Sequence, residues 1–347
     1  MRIRPIARDD IDGLQMLAQQ AGVGFTSLPD SREFLAEKIE SAARAFEERT
    51  PVDDRLYFFV LEDDATGELA GCCAIVGQVG RDVPFYNYRL GTLAHSSLQL
   101  DLHRTIDTLF LSSDHTGDAE VCSLFLRPEF RDEANKHLRN GALLSKARWL
   151  FIAQFRDRFP DKVLAEMRGV FDEHNRSPFW ESLGKHFFPM DFDEADRLTG
   201  LGQKSFIGEL MPKFPIYTTF MSEQARACIG QVHHHTRPAL EMLKKEGLRW
   251  EGYIDIFDGG PTVEAYIDDV RAIRTSQLCQ VKVSENAASQ SVSRWLAATT
   301  DMQGFRAAWV GRAPDDDGVL VLSDAEARRL DVSTGESLRL LDTQETL

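Results

Sequence analysis

The sequence predicts an α/β fold built around a mixed sheet. Three observations carry that expectation. Strand-length apolar or alternating stretches recur at 1–7, 56–76, 85–97, 119–126 and 161–170. Helical stripes of apolar residues interrupt them at 8–22, 27–49 and 141–159. Turn residues, among them Gly22, the Thr66-Gly67-Glu68 run, Pro128 and Gly184, punctuate the boundaries. At 347 residues the chain is long for one domain, so two units are the default expectation.

Taken in order, "MRIRPIA" alternates Ile3 against Arg2 and Arg4 and reads as a strand. "RDDIDGLQMLAQQAG" follows as a short helix with acids in its first turn and Gly22 as a stop. In "SLPDSREFLAEKIESAARAFEER" the residues Phe34, Leu35, Ile39, Ala42, Ala43 and Phe46 form one stripe. Two apolar strands flank Glu62–Glu68 and predict a hairpin, and "FYNYRLGTLAHSS" is strand-like. The helix "GALLSKARWLFIAQFRDRF" repeats Ala147, Phe151, Phe155 and Phe159 every four residues on its expected buried face. "DKVLAEMRGV" then reads as a strand and "NRSPFWESLGKHFF" as a short helix ending at Gly184. Beyond about residue 200 lie a proline-bearing segment, a helix over Arg237–Glu246, and two strands around a Gly-Gly-Pro turn. Residues 281–300 are polar and read as a linker, and "GVLVLSDAEARRLDVSTGESLRLL" predicts strand, helix, turn and strand.

Composition narrows the function. The net charge of −15 repels nucleic acid and anionic membranes and leans toward a cationic substrate. No apolar run reaches the roughly 18–20 residues that span a bilayer, and no secretory h-region is visible at the N-terminus. Five cysteines, without any C-x-x-C pair, point to reduced thiols and a cytoplasmic setting.

Within this acidic chain, the loop and helix start at 127–148 gather Arg127, Arg131, Lys136, Arg139, Lys146 and Arg148. A helix start presents free N–H groups and a positive dipole end, which suits a phosphate. One strand later stand Asn175, Pro178, Trp180, Leu183, Gly184 and Phe187. Together these segments resemble the GNAT acyltransferases, although Arg139-Asn140-Gly141-Ala142 keeps one glycine where two are common. The segments "FTSLPDS", "FVLEDDATGELAG", "FYNYRLGTLAHSS", "NGALLSKAR", "AEMRGVFDEHNRSPFWESLGKHFF", "GQVH" and "YIDIFDGGPT" more specifically resemble the arginine N-succinyltransferase family. The resemblance implies a GNAT-like, mostly antiparallel mixed sheet flanked by helices, a second α/β lobe and a small β-rich C-terminal module. The implied units are 1–200 for acyl-CoA binding, 201–280 completing the active site, and 281–347 as linker and module.

The same resemblance implies succinyl transfer from succinyl-CoA, as co-substrate, to the α-amine of L-arginine, without a tightly bound cofactor. It makes His233 of "GQVH" the proton donor and places acyl-CoA at Leu124 and at Arg139, Asn140, Gly141 and Ala142. It implies a homo-oligomer, or a hetero-oligomer with a related subunit. Ornithine or another cationic amine is the alternative acceptor, and a non-catalytic acyl-CoA or arginine-binding protein the alternative class. The acceptor's guanidinium calls for a carboxylate. Asp255 and Asp258 are the candidates, with Glu166 and Asp114 behind them, although "DGG" is also turn chemistry. His115 reads as a second polar anchor or an exposed neighbour of Asp114. Cys122, interior to a strand, is not expected to be a nucleophile. No metal is expected at His233-His234-His235, because successive side chains point apart on regular backbone.

Overall fold

The structure, a computed structural model, describes residues 1–22, 27–49, 51, 55–131, 135–201, 205–285, 287 and 295–343, with backbone alone for Lys136 and Ser205. Part of the basic loop (132–134), the start of "FTSLPDS" (25–26) and the middle of the expected linker (286, 288–294) lie outside the described residues.

The first half of the chain forms β1 (Arg2–Pro5), α1 (Ile11–Ala21), α2 (Arg32–Phe46), β2 (Leu56–Glu62), β3 (Leu69–Val76), β4 (Asn87–Ser97), β5 (Leu102–Ser112), β6 (Ala119–Leu126), α3 (Asn140–Gln154) and β7 (Lys162–Glu166). There follow α4 (Pro178–Ser182), α5 (Phe192–Gly200), α6 (Ser205–Leu210), β8 (Ile216–Tyr217), α7 (Glu223–Cys228), α8 (Arg237–Glu246), β9 (Arg249–Ile254), β10 (Pro261–Tyr266) and α9 (Arg271–Thr275). The C-terminal stretch holds β11 (Gln277–Val283), β12 (Trp295–Thr299), β13 (Ala307–Val310), β14 (Val319–Leu322), α10 (Asp324–Leu330) and β15 (Ser337–Asp342).

All the strands join one sheet in the order β14-β11-β15-β12-β13-β1-β2-β3-β6-β7-β10-β9-β4-β5-β8. Its pairs are antiparallel except β6 with β7 and β11 with β14. The expected mixed, mostly antiparallel sheet with a β-rich C-terminal part is therefore present. Three apolar clusters lie along it. The largest packs α1, α2 and α3 on β1, β2, β3 and β6; a second joins Tyr88 and Ile254 to the Phe179–Phe188 segment; a third fills the C-terminal strands.

Several elements differ from expectation for identifiable reasons. The helix read over 141–159 ends at Gln154. Phe159 precedes Pro160, which disfavours helix, and Arg156 donates to the carbonyls of both residues (2.9 and 3.1 Å). Phe155 and Phe159 nevertheless pack on Phe151, with ring centroids 4.9 and 6.3 Å away. The 281–300 stretch carries strand at both ends, in β11 and β12. The early hairpin β4–β5 lies beside β9, on the far side of β7 and β10 from its sequence neighbour β3.

Candidate active site

The two parallel central strands begin together and then separate. β6 and β7 pair only at Ala119 with Val163 and Glu120 with Leu164. Beyond that point β6 follows β3 as far as Leu126, while β7 follows β10 to Glu166. A slot opens between them.

On the β6 side of the slot the ladder is irregular. Cys72 faces Phe125 and Ala74 faces Cys122, so Ser123 and Leu124 together oppose Cys73. This is a β-bulge, which leaves backbone groups outside the regular pairing. Ser123 sits at φ +51°, a left-handed conformation that is uncommon for a residue with a Cβ. Two contacts hold the neighbouring carbonyls: the Cys72 thiol donates to Ser123 O (3.3 Å), and the buried Arg148 guanidinium reaches Cys122 O (3.5 Å). Leu124, the residue expected at the acyl group, thus belongs to the bulge. Burial pushes the Cys122 thiol up to about 12, which suppresses the thiolate that a covalent route needs.

Downstream of β6, the chain enters α3 through Arg139 at φ +51°, and no side chain caps the helix. The first-turn amides of Asn140, Gly141 and Ala142 therefore point out of the helix without a capping partner. Asn140 is buried and ties its side-chain nitrogen to Phe130 O (3.0 Å), which pins the loop against the helix start. Nothing stands within 4 Å of a Cβ built on Gly141. The basic side chains are mostly committed elsewhere. Arg127 pairs with Glu68, and Lys146 with the buried Glu246. Arg139 stacks on Trp309 (4.6 Å) and donates to Thr343 (3.2 Å), while Trp309 donates to Leu138 O (3.0 Å). The C-terminal module thus latches onto the helix start, and a phosphate there would rely chiefly on backbone N–H groups.

On the β7 side, the segment after Glu166 receives the histidine triplet. The His233 N–H donates to Arg168 O (2.8 Å), and Gly230 N–H donates to Gly259 O (2.8 Å). Gly230 has φ +68°, and a Cβ there would lie 2.5 Å from the Trp250 indole, so this turn requires glycine. Thr236 N–H and Arg237 N–H close onto His233 O and start α8. The expectation that the three histidines point apart does not hold. Their turn draws the rings together, with centroids 4.0–5.1 Å apart and ligand atoms within 4.8 Å of one another. Among the described residues no carboxylate or thiol completes that group. Partial burial, then the Arg168 charge and the two neighbouring imidazoles, push His233 down to about 4, so it is neutral at pH 7.

The acidic candidates do different work. Asp258 is buried and accepts from Gly169 N–H (2.6 Å) and Gly260 N–H (2.8 Å). Asp255 Oδ1 accepts from the amides of Phe257 and Asp258 (2.7 and 2.8 Å). Both carboxylates therefore brace the 255–260 turn that carries Gly230. Glu166 accepts from Asn87 (2.9 Å), and Asp114 from the Tyr253 hydroxyl (2.7 Å). His115 is not exposed. It is buried between Asp118 and Glu264, 3.1 Å from each. The residue that composition and motif overlooked is Arg168, which "AEMRG" contains without any distinguishing pattern.

Parallel strands that part beside a bulge and an open helix start leave room for an acyl thioester, and this chain is an acyltransferase. The family model described as "Arginine N-succinyltransferase beta subunit" matches residues 1–272, and that of its C-terminal domain matches 277–342. Proteins named arginine N-succinyltransferase from Salmonella schwarzengrund and Salmonella agona are each 52% identical over 339 residues, covering 98% of this chain and 96% of theirs. The solved structure of arginine/ornithine succinyltransferase subunit AI from Pseudomonas aeruginosa superposes with a TM-score of 0.88 at 34% identity, covering 99% of both chains. The chain belongs to the arginine N-succinyltransferase family.

Proposed function

We propose that the enzyme transfers succinyl from succinyl-CoA to the α-amine of L-arginine, giving N2-succinyl-L-arginine and CoA. The hydrogen bond from His233 to Arg168 O carries the reading, because it ties a neutral imidazole to the segment just past β7, the strand that parts from β6 beside the bulge. The pyrophosphate of CoA rests on the amides that start α3, and the thioester carbonyl lies at Ser123–Leu124. As the amine attacks, a C–N bond forms and the carbonyl electrons move onto oxygen, where bulge amides donate to the oxyanion. His233 takes the amine proton. Collapse then breaks the C–S bond, and the imidazolium delivers that proton to the departing thiolate. Transfer is direct, consistent with the raised Cys122 thiol.

The acceptor's guanidinium is assigned to the acidic turn through Asp255, the less buried of its two carboxylates, while Asp258 braces the backbone. Asp255→Asn is expected to raise the arginine KM more than the succinyl-CoA KM. The Pseudomonas neighbour is named for ornithine as well as arginine, which favours ornithine as the second reading of the acceptor. Thiol release from succinyl-CoA across arginine, ornithine and lysine tests both. Arginine should lead, because a planar guanidinium pairs with a carboxylate through two parallel bonds and an ammonium does not. Equal rates with all three would replace arginine by a general cationic amine.

Five free thiols support a cytoplasmic setting. Leu98 and Leu100, exposed at the tip of the β4–β5 hairpin, support assembly with a second copy or a related subunit, which sedimentation would report.

A further inference from the structure

Arg168 follows β7 directly and borders the slot. Its backbone carbonyl holds His233, and its guanidinium lies 4.7 Å over the Phe171 ring, itself 6.5 Å from the His233 ring. Among the described residues no hydrogen bond or ion pair reaches that guanidinium, and its Nε is buried without a partner. The other arginines near the slot are occupied: Arg127 by Glu68, Arg139 by Thr343 and Trp309, Arg148 by backbone carbonyls. Two carboxylates act on Arg168 at a distance without bonding it: Asp196, and Asp258, whose two oxygens are turned to the amides of Gly169 and Gly260. A guanidinium without a partner offers a planar fork of N–H groups, which takes a carboxylate through two parallel N–H···O bonds.

We propose that Arg168 is a binding residue for a substrate carboxylate at the acyl-transfer site. The inference rests on the activity given above, in which two carboxylates approach the reacting carbon. One is the distal carboxylate of the succinyl group; the other is the α-carboxylate of arginine, one carbon from the attacking nitrogen. Either would satisfy the buried Nε and neutralise the charge that faces His233. Before substrate arrives, that charge helps keep His233 unprotonated; once it is paired, the imidazole accepts a proton more readily, so binding and proton transfer are linked through one side chain.

The test compares substrates that keep or lack each carboxylate, in the wild type and in Arg168→Gln and Arg168→Lys. Succinyl-CoA is set against butyryl-CoA with arginine as acceptor, and arginine against its α-carboxamide with succinyl-CoA as donor. Arg168→Gln should lower kcat/KM for succinyl-CoA and arginine by about 10²-fold. It should also abolish one of the two discriminations: loss of the preference over butyryl-CoA assigns the succinyl carboxylate, and loss of the preference over arginine amide assigns the α-carboxylate. Arg168→Lys, which keeps the charge without the fork, should restore part of that preference and covers the case in which the glutamine variant does not fold. A purely structural role would lower both members of each pair equally. An active wild type with both preferences intact in the variants overturns this proposal alone. A wild type that releases no thiol from succinyl-CoA with any of these amines overturns the activity as well.

Discussion

In the proposed reaction His233 acts first as a base. Its pKa of about 4 means that the free enzyme keeps the imidazole neutral through the mildly acidic range, so the proton it later gives to thiolate must first come from the amine. His233→Ala should lower kcat by about 10²–10⁴-fold with the fold retained, since general acid–base assistance is typically of that size. His234→Ala and His235→Ala should change it several-fold at most, and added zinc should stimulate none of the three. A dead His234 or His235 variant beside an active His233 variant would transfer the role within the triplet. The pH profile is a separate check. Protonation of His233 in free enzyme should depress kcat/KM only as pH falls toward 4, so an acid limb near 6.5 that disappears in His233→Gln would contradict the low value. The triplet itself was legible in the sequence because three consecutive histidines are conspicuous. The convergence of their rings was not, because it depends on a turn closed by Thr236 and Arg237 onto one carbonyl. Arg168 was hidden for a related reason: an arginine becomes informative only when the absence of its partner can be seen in three dimensions.

In the proposed reaction, elements rather than side chains would hold the donor substrate. The expected loop and helix start are where the sequence placed them, but most of the basic residues counted there turn out to serve the protein's own packing. Counting charges could not reveal this, since Glu68, Glu246 and Trp309 are far from the loop in sequence. Among the described residues, a Cβ at Gly141 would meet nothing within 4 Å outside its own helix, so Gly141→Val should leave the thermal midpoint nearly unchanged while raising the succinyl-CoA KM by obstructing the helix-start amides. An unchanged KM would move the phosphate site away from α3. The helices announced themselves through periodicity, and the β2–β3 hairpin through its turn. β5 is not legible, because Leu102, Arg104, Ile106 and Thr108 mix apolar and polar on one face and its outer half is exposed without an apolar run. The β6 bulge is invisible in sequence altogether: it is a mismatch in register with β3, not a property of "CSLFL".

At the scale of the whole molecule, strand order is the least legible feature, because pairings such as β1 with β13 and β4 with β9 join segments far apart in the chain. One buried charge cluster ties several of those segments together. His115, just ahead of β6, stands between Asp118 and Glu264 of β10; its Nε2 lies 3.1 Å from Glu264, an ion-pair distance without hydrogen-bond alignment. Glu264 also takes Lys162 of β7 (3.1 Å), and the Tyr253 ring of β9 packs edge-on against the imidazole at 4.5 Å. Burial alone would lower the His115 pKa, but the two carboxylates outweigh it and raise the group to about 9. A raised folded-state value stabilises the protein fully below the unfolded value near 6.5 and ceases to do so as pH climbs through 9. Glu264, lowered first by His115, acts in the opposite sense and loses its contribution on acidification. Wild-type stability to urea should therefore fall between pH 6.5 and 9. His115→Gln should be less stable at pH 6 yet show a markedly shallower decline over that interval, with the two proteins converging near its top. Parallel stability curves for wild type and variant across the whole interval would mean that His115 is not charged in the folded protein, and that the cluster holds its strands together by packing instead.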